Sequence, residues 1–263
     1  MHAAEREQLI LTLLEVRGFV AFQDLDSRVD ASPATIRRDL DKLETAGKIT
    51  RVRGGARLVR QEEVARGGPQ LSGVPFHENM SRNLSAKQAI GRTAAELCRN
   101  GDSIIIDGGS TTLQMCPHLE NHSLQVLTNS LHIVSALLPQ QKTSILIPAG
   151  TLFREQNIVL SPYEDDGMSR YRASRMFMGA AAVGQHGVMQ TDVILVQAER
   201  RLIGLADELV LLVDSSKLEG QTGHAVCALS DVAVLITDDG ISDAAAAMIE
   251  ASVQRLLVVP RAG

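Results

Sequence analysis

Residues 31–55, ASPATIRRDLDKLETAGKITRVRGG, decide how the amino-terminal part of this chain folds. Ser32 can accept hydrogen bonds from the first free N–H groups of a helix, and Pro33 suits the first helical position. Gly47 can adopt the left-handed conformation that ends a helix. The stretch therefore predicts a helix from Pro33 to about Ala46. Its apolar residues recur at helical spacing and are expected to face a core: Ile36, Leu40 and Leu43.

The outer faces of this helix are polar, and the first turns are basic. They carry Thr35, Arg37, Arg38, Asp41 and Lys42. The first turns of such a helix can enter the major groove of DNA, where arginine bonds bidentately to guanine and threonine contacts a base edge or a phosphate. A solvated charged face is the alternative, and charge alone favours it.

A basic β-hairpin is predicted directly after the helix. Residues 48–59 alternate charged or polar with apolar side chains around a central pair of glycines, with Arg51 and Arg53 on one face. Residues 31–60 contain eight Lys or Arg and three Asp or Glu, a net charge of +5 in a chain whose total is −5. Such a local excess of positive charge is typical of a surface that contacts nucleic-acid phosphates.

Two shorter helices are predicted upstream, from Glu5 to Arg17 and from Asp24 to Val29. Helix, short strand, helix, basic helix and basic hairpin, in this order, resemble the winged helix-turn-helix domain of the DeoR family of bacterial transcription regulators. The residues that match the family signature are Ser32, Thr35, Arg37, Arg38, Asp39, Leu40, Gly54 and Gly55. The resemblance implies double-stranded operator DNA as a partner. The predicted DNA-binding residues are Ser32, Thr35, Arg37, Arg38, Lys42, Arg51, Arg53, Gly54 and Gly55.

Length and composition predict two domains. A chain of 263 residues exceeds one winged helix, and a stretch rich in glycine, proline and serine at residues 61–80 is typical of a linker. We therefore predict a DNA-binding domain at 1–60 and an α/β sensor domain at 81–263. Residues 61–263 carry a net charge of −7, so nucleic acid is not expected across the larger domain.

Several classes of protein are disfavoured by composition. No apolar run has the length needed to span a bilayer, and the chain starts with a charged amphipathic helix in place of a signal peptide. A cytoplasmic protein without a membrane partner is expected. The three cysteines lack metal-ligand spacing, so reduced thiols are expected, with no metal site and no cofactor.

The larger domain alternates between predicted helices and strands. A helix at 85–99 precedes a strand at 103–107, and further strands are predicted at 124–127 and 143–148. The remaining strands are expected near 175–179, 209–213, 232–236 and 255–259, with helices near 193–207 and 242–252. This alternation favours an α/β fold with a mainly parallel sheet that is covered on both faces.

Ligands of such sheets bind beyond the carboxyl ends of the strands, where helix N-termini favour anions. Residues 107–112, Asp-Gly-Gly-Ser-Thr-Thr, therefore form a candidate phosphate loop, although a helix-capping turn explains the pattern equally well. Asp107 would bind sugar hydroxyls or cap the next helix. Thr128, Asn129 and Ser130 follow the next strand. Lys217 follows a later one, as an anion-binding ammonium or a solvated turn lysine.

These loops resemble the DeoR sensor domain, which is itself similar to ribose-5-phosphate isomerase and related folds. The resemblance implies a regulator of carbohydrate utilisation, usually a repressor, released from its operator by a phosphorylated sugar. Residues 157–162 and 191–192 are similar to the branch that regulates L-ascorbate utilisation. The predicted effector-binding residues are Asp107, Gly108, Gly109, Ser110, Thr111, Thr112, Thr128, Asn129, Ser130, Gly150, Asp192 and Lys217.

The sequence also departs from the family pattern. Many DeoR proteins carry an acidic run ending in a Val-Lys pair near residues 192–203, where this chain is apolar and has Glu199 in place of the lysine. The effector specificity of the wider family therefore does not carry over. The charged stretch at 163–172 is either a lid over the pocket or a surface loop, and we favour the loop.

An enzyme is the second hypothesis: a sugar-phosphate isomerase with an appended helical domain. Such chemistry requires a general base and an electrophilic partner, which Asp107 and Lys217 could supply. The sequence contains no Ser-His-Asp or Cys-His arrangement and no convincing carboxylate pair, so binding without turnover is expected. Paired half-sites on operators are read by symmetric oligomers, and a homodimer or homotetramer is expected.

Overall fold

The computed structural model describes residues 3–17, 19–29, 31–45, 48–52, 55–58, 76–154, 156–161, 167–220 and 223–261. The chain divides into two compact units, Met1–Pro69 and Gln70–Gly263. The predicted linker at 61–80 needs a correction at its end, because Phe76–Ser81 forms a helix, α4. Residues 61–75 lie outside the described residues. The division into three segments otherwise stays a prediction.

The described part of the first unit contains three helices and a three-stranded antiparallel sheet. The elements are α1 (Ala3–Arg17), β1 (Phe19–Ala21), α2 (Phe22–Arg28), α3 (Pro33–Thr45), β2 (Ile49–Val52) and β3 (Gly55–Leu58). The strands lie in the order β1-β3-β2. The predicted basic helix and hairpin are both confirmed, whereas the proposed helix end at Ala46 and Gly47 falls outside the described residues.

Helical spacing explains the core of this unit. The three residues of α3 that we expected inside are buried, and so are four further apolar residues of α1 and of α2 and its end: Ile36, Leu40 and Leu43, with Ile10, Leu14, Leu25 and Val29. Ile49 and Ala56 of the hairpin and Val20 of β1 close the same cluster. Each fully buried aliphatic side chain contributes about 1.5–3 kcal/mol to folding. The hairpin is therefore a packed part of the unit.

A buried ion pair joins α1 to α3. Arg6 Nε donates a hydrogen bond to Asp39 Oδ2 at 2.7 Å, and Arg6 Nη2 donates to Asp39 Oδ1 at 3.3 Å. The Asp39 side chain is 2% exposed. Hydrogen bonding to Asp39 raises the pKa of Arg6. The pair holds the first helix against the basic helix through two directed bonds, which fixes the angle between them more tightly than apolar packing does.

Replacing Asp39 with alanine will destabilise the DNA-binding unit. The change removes both hydrogen bonds to Arg6 and the ion pair that they form. We expect the thermal midpoint of this unit to fall by about 5–10 °C. Circular dichroism melting measures the effect, and Asp26→Ala on an exposed part of α2 is the control. Equal midpoints for the two variants would contradict a structural role for the pair.

The second unit is built around a parallel sheet. Its helices are α4, α5 (Leu84–Ala95), α6 (Leu131–Leu137), α7 (Val193–Ile203) and α8 (Asp243–Glu250), with 3-10 turns at Thr112–His118, Ser215–Lys217 and Leu229–Asp231. The strands of the main sheet are β4 (Ser103–Ile106), β5 (Gln125–Leu127), β6 (Ser144–Leu146), β9 (Ala173–Met178), β12 (Ala206–Leu212), β14 (Val232–Asp238) and β15 (Arg255–Val259). The remaining strands are β7 (Thr151–Phe153), β8 (Ile158–Leu160), β10 (Ala182–Gly184), β11 (Gly187–Gln190) and β13 (His224–Cys227).

The seven strands of the main sheet are all parallel, in the order β15-β14-β12-β9-β4-β5-β6. The predicted α/β fold with a mainly parallel sheet is therefore confirmed. Strands β4, β5 and β6 follow one another towards one edge of the sheet, and β9, β12, β14 and β15 follow one another towards the other edge. The strand order thus reverses between β4 and β9, which is where open sheets of this type bind ligands.

Successive residues of the central strands enter two separate cores. In β4, Ile104 and Ile106 pack in one core and Ile105 in the other. In β9, Phe177 joins the first, and Met176 and Met178 join the second. Side chains alternate across a strand, so a sheet with apolar residues at every position must be covered on both faces.

The sequence missed the antiparallel parts of the unit. Strands β7 and β8 form a hairpin, and β10, β11 and β13 form a three-stranded sheet. The helix predicted at 193–207 is too long, because α7 ends before Gly204 and β12 begins at Ala206. The helix predicted at 85–99 also ends early, at Ala95. No helix in the described part of the chain is long and apolar enough to cross a bilayer.

Candidate functional site

The N-terminus of α3 is capped as the sequence predicts. Ser32 Oγ accepts a hydrogen bond from Thr35 N at 3.3 Å and shares a second one with Thr35 Oγ1 at 2.9 Å. These bonds satisfy a free N–H group of the first turn, so both hydroxyls help to fix the start of the helix. They remain at its exposed end.

Three basic residues of α3 are exposed: Arg37, Arg38 and Lys42. The guanidinium carbon of Arg37 lies 4.9 Å from the centre of the Phe22 ring, a cation–π contact that holds this side chain against α2. The helix therefore presents one arginine restrained by an aromatic ring and a neighbouring exposed one. This arrangement is compatible with a major-groove contact, and the assignment of these residues to DNA stays a prediction.

Gly55, one of the predicted DNA-binding residues, has a structural role in the hairpin. A Cβ atom at Gly55 would lie 2.3 Å from Val20 O and 2.7 Å from the Phe19 ring, so β1 can pair with β3 only if this residue is glycine. Arg51 lies on β2 opposite Ala56 of β3. The predicted contacts at Arg53 and Gly54 lie outside the described residues.

In the second unit, the candidate effector loops meet where the strand order reverses. Asp107 follows β4, and its N–H donates to Phe177 O of β9 at 2.9 Å. Asn129 Nδ2 donates to Asp107 Oδ1 at 3.2 Å, and Gly108 N donates to Asn129 Oδ1 at 3.2 Å. These bonds bring together the ends of three neighbouring strands, and both Asp107 and Asn129 are buried.

The loop after Asp107 does not open an α-helix. It leads into a 3-10 helix of seven residues, so the helix dipole contributes less to anion binding than we expected. Thr112 Oγ1 donates to Asp107 O at 2.7 Å and to Gly109 O at 3.0 Å, which commits this hydroxyl to the loop itself. Ser110 and Thr111 are also buried.

Four further residues of the predicted effector site have local roles. Thr128 Oγ1 accepts from Ser130 N at 3.2 Å, and Ser130 Oγ accepts from Ile133 N to cap α6. Asp192 caps α7 by accepting from Ile194 N at 2.8 Å. A Cβ atom at Gly150 would lie 2.4 Å from Leu160 O, so the glycine is needed for the turn into β7.

A cationic cluster lies at the ends of β9 and β12. Lys217 Nζ donates to Ala180 O at 2.6 Å. The buried Lys87 of α5 donates to Asn79 O at 2.5 Å, and the charge of Lys217 acts on it. Burial lowers the pKa of Lys87 to about 8 and also lowers the pKa of Lys217, with Asp214 opposing both shifts. Two ammonium groups held in this way favour an anionic ligand.

Sequence reasoning missed two members of this cluster. Lys87 lies three residues before Ile90 and seven before Ala94, so helical spacing could have placed it on the buried face. Asn83 has a positive φ of 50° and donates to Asp214 Oδ1 at 2.8 Å and to Ser216 Oγ at 3.1 Å. No pattern in the sequence indicates these two bonds of Asn83, each of which spans more than 130 residues.

The start of the second unit is tied to the same loops. The ring of Phe76 stacks on His132 with centroids 4.2 Å apart, and His132 Nε2 is 3.1 Å from Asn157 Nδ2. His132 follows Ser130 closely in the chain. Helix α4 thus contacts the first turn of α6 through Phe76, and its Asn79 carbonyl group accepts a hydrogen bond from Lys87 of α5.

The carboxyl group of Asp107 is electrostatically unusual. Burial raises its pKa to about 6, against smaller opposing effects of hydrogen bonds from Gly108 N and Asn129. The group is therefore ionised at neutral pH at a cost to stability. A buried carboxyl group at the carboxyl end of a parallel strand suits a ligand that carries hydroxyl groups.

We expect Asp107→Asn to stabilise the folded protein at pH 7.5 by about 1–3 kcal/mol. The unfolded carboxyl ionises near pH 3.8 and the folded one near pH 6, so the ionisation penalty develops between these values and is complete above them. The gain should therefore shrink towards pH 4. Urea unfolding of this variant and of the exposed control Asp207→Asn at both ends of this range measures it. A gain in stability that does not change with pH would contradict the ionisation of a buried carboxyl group as its cause.

Two family models match separate parts of the chain. Residues 6–62 match the DeoR-like helix-turn-helix domain, and residues 82–239 match the DeoR C terminal sensor domain. The HTH-type transcriptional regulators UlaR of Salmonella newport (strain SL254) and Salmonella enteritidis PT4 (strain P125109) are each 32% identical over 237 residues, covering 90% of this chain and 91% of theirs.

Solved structures give a partial likeness. Ribose 5-phosphate isomerase A from Methanocaldococcus jannaschii is 19% identical with a TM-score of 0.39, covering 52% of this chain and 55% of its own. The eIF2B delta protein from Chaetomium thermophilum is 12% identical with a TM-score of 0.40, covering 80% and 65%. The two family matches exclude the isomerase hypothesis and cover both units. The chain belongs to the DeoR family of DNA-binding transcriptional regulators.

Proposed function

We propose that this regulator represses a carbohydrate-utilisation operon and is released from its operator by a phosphorylated sugar. The observation that carries the proposal is that one sensor domain holds both a pair of interacting lysines, of which Lys217 lies just beyond β9 and β12, and a buried carboxyl group bonded to Asn129 where the strand order reverses. Lys217 and Lys87 favour the phosphate, and Asp107 with Asn129 favours hydroxyl groups. The predicted effector-binding residues are proposed to form this site together.

The operator is proposed to contact α3 and the hairpin. Arg37, Arg38 and Lys42 are exposed on α3, and residues 31–60 carry a net charge of +5. Phosphate contacts by such residues supply much of the affinity, and contacts of arginine with guanine supply specificity. The rest of the predicted DNA-binding set would position the helix and the hairpin on the duplex.

Release requires coupling between the two sites. A homodimer or homotetramer would bind half-sites separated by whole helical turns, so a modest change in subunit geometry breaks simultaneous engagement. A coupling free energy of about 1–3 kcal/mol changes the affinity for the operator by about 5- to 150-fold. A cytoplasmic location follows from a function on bacterial operator DNA.

Fluorescence anisotropy tests the proposal. The full-length protein is mixed with labelled DNA from upstream of its own gene and titrated with pentose phosphates, hexose phosphates and, because of the resemblance to the L-ascorbate branch, a phosphorylated ascorbate. We expect salt-sensitive binding to one fragment and release by one compound class. DNA binding without any response to the panel would contradict the effector class, and no binding to any fragment would contradict the operator.

A further inference from the structure

A buried carboxyl group on α7 has an oxygen without a partner. Glu199 is 3% exposed. Its Oε1 accepts a hydrogen bond from Gln190 Nε2 at 2.6 Å, whereas its Oε2 has no hydrogen-bond partner among the described residues. A buried polar atom left without a bond is costly, so such atoms in folded proteins call for an explanation. A ligand that bonds to Oε2 would supply it.

The packing of α7 places this carboxyl group beside the candidate effector site. Ile194, Leu195 and Ala198 of α7 pack against Ile158 and Leu160 of β8. The methyl group Cγ2 of Ile158 approaches Gly108 so closely that a Cβ there would lie 2.7 Å away. Helix α7 and the loop after β4 therefore meet at the same strand of the β7–β8 hairpin.

The charges of the site divide into two groups. Lys87 and Lys217 act on each other, as described above, whereas Glu199 interacts with Asp107. Burial and the charge of Asp107 raise the pKa of Glu199 well above its ordinary value. A carboxyl group accepts hydrogen bonds through both oxygens and, when protonated, also donates one, so it can bond to a sugar hydroxyl in either state. A second anionic group of the effector would be repelled by Asp107 here.

We propose that Glu199 is a specificity-determining residue of the effector site, where its free oxygen binds a hydroxyl group of a polyhydroxylated phosphate ester. This inference rests on the proposed function, because it assumes that the lysines hold the phosphate. It orients the effector, with its phosphate at Lys87 and Lys217 and its hydroxyl groups at Glu199 and Asp107. The site therefore selects for hydroxyl groups at the acidic end.

Calorimetric titration of the full-length protein tests the assignment. The probes are ribose 5-phosphate, glucose 6-phosphate, their 2-deoxy analogues and inorganic phosphate. We expect Glu199→Leu to weaken binding of the best sugar phosphate at least about tenfold, which matches the loss of one buried hydrogen bond. Inorganic phosphate, held by the lysines, should bind the variant within about twofold of the parent.

The isosteric variant Glu199→Gln guards against a folding artefact, since its amide also donates and accepts hydrogen bonds. We expect it to bind the sugar phosphate within about threefold of the parent. Three results would overturn the inference: unchanged sugar-phosphate binding by Glu199→Leu, an equal loss for inorganic phosphate, or a Gln variant as weak as the Leu variant. If the parent binds phosphate but no sugar phosphate, the proposed function itself fails.

Discussion

Replacing Arg37 and Arg38 together with alanine will reduce operator affinity by about 100-fold or more. Each bidentate contact of arginine with guanine contributes about 1–3 kcal/mol of discrimination, and phosphate contacts add affinity that depends on salt. Both side chains are exposed on α3. Neither belongs to the buried core of this unit, so the double variant should fold normally.

The single variants separate two roles. Arg37 is held over the Phe22 ring, so we expect Arg37→Ala to weaken binding to all DNA sequences alike. It should also lower the slope of log affinity against log salt concentration by about one. We expect Arg38→Ala to relax discrimination at one base pair. Anisotropy titrations at several salt concentrations measure both effects. The control is the double change of Arg92 and Arg99 to alanine, two exposed arginines of the sensor unit. If operator binding survives both changes on α3, the recognition-helix assignment is wrong.

Lys217→Met will shift the response to the effector to concentrations about 30-fold higher or more and leave operator binding intact. The ammonium group donates to Ala180 O at the end of β9, at the edge of the reversal point. Hydrogen bonds between charged partners are roughly twice as strong as neutral ones, so losing one to a phosphate should weaken effector binding by about 30-fold or more. Methionine has a similar length and does not bury an unpaired charge.

The comparison with Lys142→Met isolates this effect, because Lys142 is an exposed lysine of the same unit. Anisotropy titrations with effector present should show release for the parent and for Lys142→Met. Lys217→Met should remain bound to the operator at effector concentrations that release the parent. If Lys217→Met is released like the parent, the phosphate does not lie at this lysine.

Local patterns in the sequence predicted what depends on neighbouring residues. The cap at Ser32, the buried stripe of α3 and the alternation of strands and helices were correct because each depends on residues a few positions apart. Asp107 and Asn129 were assigned to one candidate site because parallel strands end at the same edge of a sheet, and the two side chains are hydrogen-bonded. The length of the helix near 193–207 was wrong because propensity does not mark where the packed turn begins.

Contacts between distant residues were beyond the reach of the sequence. The bond of Arg6 to Asp39 spans 33 positions, and that of Asn83 to Asp214 spans 131. The short strands β10, β11 and β13 have too few residues for a clear alternation. The significance of Glu199 was visible only as a departure from a family pattern, because its burial and its free oxygen arise from packing.

Helix α4, the first described helix of the sensor unit, contacts two other helices of that unit. One end of the helix is stacked on His132, and its Asn79 carbonyl group is held by Lys87. On the proposed function, an effector whose phosphate bonded to Lys87 would compete with the Asn79 carbonyl group for that ammonium group and would remove one of the contacts that hold the helix. The position of α4 would then depend on the ligand without any rearrangement of the central sheet.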